Sequence, residues 1–137
     1  MRHLILICWL FTSLPAMAAT TPNVWKPEAD AVCRQMDQAV SLYQQGHLKE
    51  AKLAAVMAYF KGYDANIEPA VRITLGGPHV FAIERQFRHF SQEMTPNPDK
   101  QQLQKMTRLA RTLCQLVHDD ANALNAAKVT RKVFNPE

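Results

Sequence analysis

Three carboxylates in the middle of the chain are spaced for chemistry. Asp64 and Glu68 bracket a place where Pro69 disfavours helical geometry at the preceding residue, so a helix reaching Asp64 is expected to kink or break and restart at the proline. Glu84 stands at the margin of an apolar stripe in the following segment, where a carboxylate partly withdrawn from water seeks a cation. Carboxylate oxygens suit hard cations, ferric iron among them, and imidazole suits ferrous iron, copper or zinc. His47, His79, His89 and His118 are available, and no two of them are four residues apart. His79 is the fourth candidate ligand, although the five residues separating it from Glu84 set the two side chains about 140° apart on a helix of 3.6 residues per turn. Plainer roles compete: Glu68 with Arg72 and Glu84 with Arg88 are i,i+4 pairs, each contributing about 0.3 to 0.5 kcal/mol of helix support. Asp64 would then cap the restarted helix.

Three cysteines are present, and Cys8 lies in a stretch with the grammar of a secretory signal peptide. Arg2 and His3 precede an apolar run that ends in Pro15-Ala16-Met17-Ala18, which places cleavage near Ala18/Ala19 and the mature protein in the periplasm or outside the cell. Removing Arg2 from a chain of formal charge +4 leaves +3, a mild bias. The basic cluster Lys128, Arg131 and Lys132 lacks interleaved aromatic residues and reads as solvated tail, so no nucleic-acid partner is expected. No apolar run approaches the roughly 20 residues that cross a bilayer, so no membrane span is expected in the mature chain. In an oxidising compartment Cys33 and Cys114 should form a disulfide. Their spacing is too long for a Cys-x-x-Cys redox motif and lacks the histidine partners of a zinc site. The bridge would close a loop of about 80 residues, which chain entropy values on the order of 4 kcal/mol.

No enzyme signature appears. The chain has no Cys-x-x-Cys-His, no His-Glu-x-x-His, no Gly-x-Ser-x-Gly and no glycine-rich phosphate loop, and a non-enzymatic role is expected.

The elements that must position these groups read as helices. Ala29, Val32, Cys33, Met36, Val40 and Tyr43 recur at steps of three and four over residues 28–45, and Gly46-His47 breaks the pattern. Residues 48–63 carry Leu48, Ala51, Ala55, Ala58 and Tyr59 on one face and Leu53, Val56, Met57 and Phe60 elsewhere, which predicts a helix apolar nearly all round at the centre of a bundle. A third helix opens after Gly76-Gly77-Pro78 with Val80, Ile83, Phe87, Phe90 and Met94 and ends before Pro96 and Pro98. A fourth runs from near Asp99 to about Ala127 with Leu103, Met106, Ala110, Leu113, Val117 and Leu124 on one face. The aromatic residues Tyr59, Phe60, Tyr63, Phe81, Phe87 and Phe90 are expected in the core. The fold expected is all-α, an antiparallel four-helix bundle with a kink or break between helices 2 and 3 and one disulfide. Its organisation is a signal peptide at 1–18, a bundle domain at 19–127 and a flexible C-terminal tail at 128–137.

The run 42–87 opens Leu-Tyr-x-x-Gly-x-x-x-x-Ala, centres on Ala58-Tyr59-Phe60-Lys61-Gly62-Tyr63-Asp64-x-x-Ile67-Glu68-Pro69 and closes Ile83-Glu84-x-x-Phe87. It resembles the extracytoplasmic helical domain of FTR1-type high-affinity iron permeases. The resemblance implies a helical bundle serving iron acquisition, with Asp64, Glu68 and Glu84 as the matching acidic positions. Neither the membrane helices nor the Arg-Glu-x-x-Glu motifs of such permeases occur, so what is implied is an accessory module that binds iron or another transition-metal cation, or docks on an inner-membrane iron permease or another transport component. The rival expectation is a periplasmic docking module without metal. Tyr43-Gln44-Gln45-Gly46-His47-Leu48-Lys49-Glu50-Ala51 also resembles a tetratricopeptide hairpin, but a single unit is visible where about three make a stable solenoid.

Overall fold

A computed structural model describes residues 22–131; the expected signal peptide and the last six residues lie outside them. The described residues form helices α1 (Lys26–Gln44), α2 (Leu48–Met57), α3 (Glu68–Thr74), α4 (Gly77–Gln92) and α5 (Lys100–Ala126), with a π-helical segment, Ala58–Asp64, continuing α2. No strand occurs among them.

Helix α1 starts at a proline in its first turn with Glu28 beside it, where the free N–H groups favour a negative charge. It ends in a Schellman turn. Gly46 at φ +84° lets its own N–H reach the Tyr43 carbonyl and that of His47 reach Leu42, which satisfies carbonyls the helix leaves free. Helix α5 starts at Asp99, whose carboxylate accepts from the Gln102 N–H at 2.7 Å. It closes in the same Schellman pattern, with Lys128 at φ +57° standing where glycine is usual.

Helices α1 and α5 run antiparallel. Trp25 Nε1 donates to the Val129 carbonyl, His118 faces Asp30, Cys33 is bonded to Cys114, and the Tyr43 hydroxyl donates to the Thr95 carbonyl a few residues before α5 begins, so rising numbers on one helix meet falling numbers on the other. The expected disulfide is therefore present, with Cα atoms 5.2 Å apart. Helix α1 also packs against α2 and the π segment, α2 against α4, and α4 against α5, while short α3 lies on α4 and α5. Trp25, Met36, Tyr43, Tyr63, Ile67, Phe90, Met94, Met106 and Leu124 are the largest fully buried side chains.

Two expectations about the second helix need correction. It is not buried all round: Ala51, Ala55 and Ala58 face the core, whereas Leu53 and Phe60 are exposed. A face of alanines lets backbones approach closely, so the bulkier residues turn outward. Nor is it one continuous α-helix, because its last turns widen into the π form. Of the aromatic residues expected inside, Phe60 and Phe81 are each 55% exposed. The first described residues of the expected tail are held: Val129 packs on the core, and Arg131 pairs with Glu28 at 2.6 Å.

Candidate functional site

The π segment and the chain behind it build the elbow that the proline foretold. Gly62 brings the segment close to α1, since a Cβ there would stand 2.8 Å from Gln35 Oε1 and 2.9 Å from Val32 Cγ2. The segment ends where Asn66 Nδ2 donates to the carbonyls of Lys61 and Gly62, giving partners to groups the wide helix leaves free. π-helical turns within α-helices recur at functional sites because they turn side chains out of the regular register.

Two tyrosines four residues apart use that register. Their rings stack with centroids 6.4 Å apart, and Phe87 of α4 packs on both, at 5.3 Å from Tyr59 and 5.6 Å from Tyr63. Each hydroxyl donates to a buried carboxylate. Tyr59 donates to Glu68 Oε2 at 2.9 Å, and Arg72 donates to Oε1 of the same group at 2.5 Å. Tyr63 donates to Asp120 Oδ2 at 2.6 Å, and His79 Nε2 lies 2.6 Å from Oδ1. Glu68 is 6% and Asp120 2% exposed, so both would be costly to bury without these partners. The site is thus two similar triads, phenol–carboxylate–guanidinium and phenol–carboxylate–imidazole, with Arg72 and His79 at their outer ends.

The electrostatics join the expected acids to the first triad. Burial, the hydrogen bond to Glu68, and the negative charges of Glu68, Asp64 and Glu84 push the Tyr59 phenol well above the ordinary tyrosine range. Burial lifts the Tyr63 hydroxyl too, with Asp120 next in importance. Asp64 is raised above the usual carboxylate range, first by burial and then by repulsion from Glu68 and Glu84, with Arg72 opposing. The negative charges of Asp64, Glu68 and Glu84 thus act on the Tyr59 phenol, and those of Glu68 and Glu84 on Asp64. The three acids do not form a ready-made cage: they are not among the sets of ligand atoms that lie within 4.8 Å of one another, a distance met among the described residues by Cys33, Cys114 and His118. Glu68 pairs with Arg72 and Glu84 with Arg88, as i,i+4 spacing predicts. Asp64 does not cap α3, whose N-cap residue is Ile67 without a side-chain bond. His79 is held by Asp120 on the second triad.

Sequence reading missed Asp120. It sits on the buried stripe of α5 with Val117, Ala121 and Leu124, and a carboxylate on a core stripe is itself a signal that a partner is waiting. It also missed that His118 follows Cys114 by one helical turn. An apolar groove of about 290 Å³ opens between α2, the π segment and α4, lined by Ala55, Val56, Tyr59, Phe60 and Phe87 with Glu84 and Arg88 at its edge. No protein-family model, curated protein or solved structure matches the chain.

Proposed function

We propose that the protein is an exported, non-enzymatic helical module of an iron-uptake system that captures a hard cation, ferric iron foremost, at the elbow. What supports this reading is the Tyr59–Glu68–Arg72 chain of hydrogen bonds, with the charges of Asp64 and Glu84 also acting on the Tyr59 phenol, a set of hard oxygen donors. The Arg72 guanidinium holds the place of the cation at Glu68, and an incoming metal would displace it outward, where its side chain is already half exposed. The Cys33–Cys114 bridge supports export, because such bonds persist in oxidising compartments. The resemblance over residues 42–87 supports iron as the cargo and an inner-membrane permease as the partner, and the finer architecture, an antiparallel four-helix bundle with α3 as an insert, belongs to the same proposal.

Calorimetric titration with ferric iron delivered from a weak chelate tests this. Saturable binding accompanied by a visible phenolate-to-iron absorption is expected, and Asp64→Ala with Glu68→Ala should weaken it while Arg72→Gln strengthens it. An isotherm unchanged in the double variant removes these residues from the site. The second reading, docking without metal, is favoured by the groove and by exposed Phe60 beside it. Under that reading no metal binds, and a Phe60→Ser variant loses a transport component that the parent retains from a membrane extract.

A further inference from the structure

Away from the elbow, one cluster combines soft ligands from two helices. His118 lies one turn beyond Cys114 on α5, and one of its ring nitrogens and the sulfurs of Cys33 and Cys114 all fall within 4.8 Å of one another. Asp30, on α1 three residues before Cys33, stands 3.3 Å from His118 Nε2, and Lys26 holds its other oxygen at 2.7 Å. In the disulfide the sulfurs have no thiolate to offer.

We propose that reduction of the Cys33–Cys114 bridge converts this cluster into a binding site for a thiophilic divalent cation of the zinc class, with Cys33, Cys114 and His118 as ligands and Asp30 orienting the imidazole. The ligand set decides the metal class, because two thiolates and one imidazole suit zinc rather than the hard cations of the elbow. Tetrahedral zinc with Zn–S of about 2.3 Å and Zn–N of about 2.0 Å sets its ligand atoms roughly 3.5 to 3.8 Å apart. The three ligand atoms already lie within 4.8 Å of one another, so side-chain rotation that parts the sulfurs and brings in the imidazole would reach those distances. A carboxylate on the second ring nitrogen of a metal-bound histidine fixes its tautomer and orientation; with Asp30 at Nε2, the metal would take Nδ1. Three protein ligands leave one position open, the arrangement of a site that exchanges its metal or water rather than one that locks it.

The chemistry balances with a dithiol oxidoreductase as reductant. It supplies two electrons and two protons, the S–S bond breaks to give two thiols, and the reductant leaves as its own disulfide. The cation then displaces both thiol protons and takes the lone pair of the neutral imidazole. The pair of states makes the bridge a switch: cross-linked without metal, or reduced with it.

Titration of the full chain with Co²⁺, oxidised and after reduction by a phosphine, tests the proposal. The reduced protein should develop sulfur-to-cobalt charge-transfer bands and tetrahedral ligand-field absorption at one equivalent, abolished by Zn²⁺; the oxidised protein should show neither. His118→Gln, which keeps both cysteines, should weaken Co²⁺ binding at least tenfold, and Asp30→Asn by about tenfold with the bands retained. Circular dichroism follows the helices throughout. If reduction alone loosens them, Zn²⁺ should restore the helix content. Equal bands in the oxidised protein, no bands after reduction, an unchanged affinity in His118→Gln, or loosened helices that Zn²⁺ fails to restore would each overturn it.

Discussion

Tyr63→Phe is the most direct probe of the elbow's construction. Tyr63 is fully buried, and its hydroxyl gives a 2.6 Å hydrogen bond to Asp120, which is itself 2% exposed. Phenylalanine keeps the ring contacts with Tyr59 and Phe87 and removes one oxygen, so no sizeable cavity forms. What changes is that one carboxylate oxygen of Asp120 loses its donor in a place water does not reach, while the other keeps His79. Hydrogen bonds to charged groups contribute about 1.5 to 3 kcal/mol, which puts the loss near 2 kcal/mol. For about 110 described residues, an unfolding entropy of about 2.1 cal/mol/K per residue converts 2 kcal/mol into a Tm lowered by roughly 9 °C. Tyr59→Phe should lower it by less, roughly 2 to 6 °C, because Tyr59 is only half-buried and Glu68 retains Arg72. Thermal unfolding of the oxidised variants, followed by far-UV circular dichroism, reads both values. A Tyr63→Phe protein within about 2 °C of the parent, or a Tyr59→Phe protein that falls further, would refute the reasoning that the second triad is the better-buried of the two.

Other expectations are open to the same methods. Asp64 has a folded pKa raised above the ordinary 3.8, so the folded state binds its proton more tightly, and stability is lost as pH rises through the folded value. Asp64→Asn should therefore stabilise the protein at neutral pH, with the gain vanishing below about pH 3.8 in denaturant titrations across pH; a gain that persists in acid contradicts the assignment. Gly62→Ala should destabilise by about 1 kcal/mol or more although alanine is the better helix former, because its Cβ would meet Val32 and Gln35; a raised urea midpoint would show that the segment is less close to α1 than described. Lys128→Gly should stabilise by a few tenths to about 1 kcal/mol in the same assay, since the position holds φ +57°, and a lower midpoint would count against that conformation.

Helices α1, α4 and α5 were legible because their apolar residues repeat at three and four on one stripe, with Gly46, Pro78 and Asp99 marking the boundaries. Cys33 and Cys114 were legible from their number and setting alone. The second helix was not. When apolar residues surround a helix, periodicity cannot say which face the core will take, and here the alanines won over Leu53 and Phe60. The widening at Ala58–Asp64 depends on Gly62 meeting α1, a contact between residues far apart in sequence. The break before α3, with Pro69 in its first turn, was readable from the proline. The partners of the second triad, 57 residues away for Tyr63 and 41 for His79, were not, since no local spacing joins them to Asp120.

The bond from Trp25 to the Val129 carbonyl has a practical side. Together with Asn23 on Asn122 and Glu28 on Arg131, it gathers the first and last described residues at one pole, next to Asp120 and hence to the elbow. The Gly46-His47 turn and the stretch around Asn97 lie at the other pole, where Tyr43 clasps Thr95. A fluorophore or affinity handle inserted at Gly46-His47 or Asn97 therefore sits at the opposite pole from Asp120 and its partners.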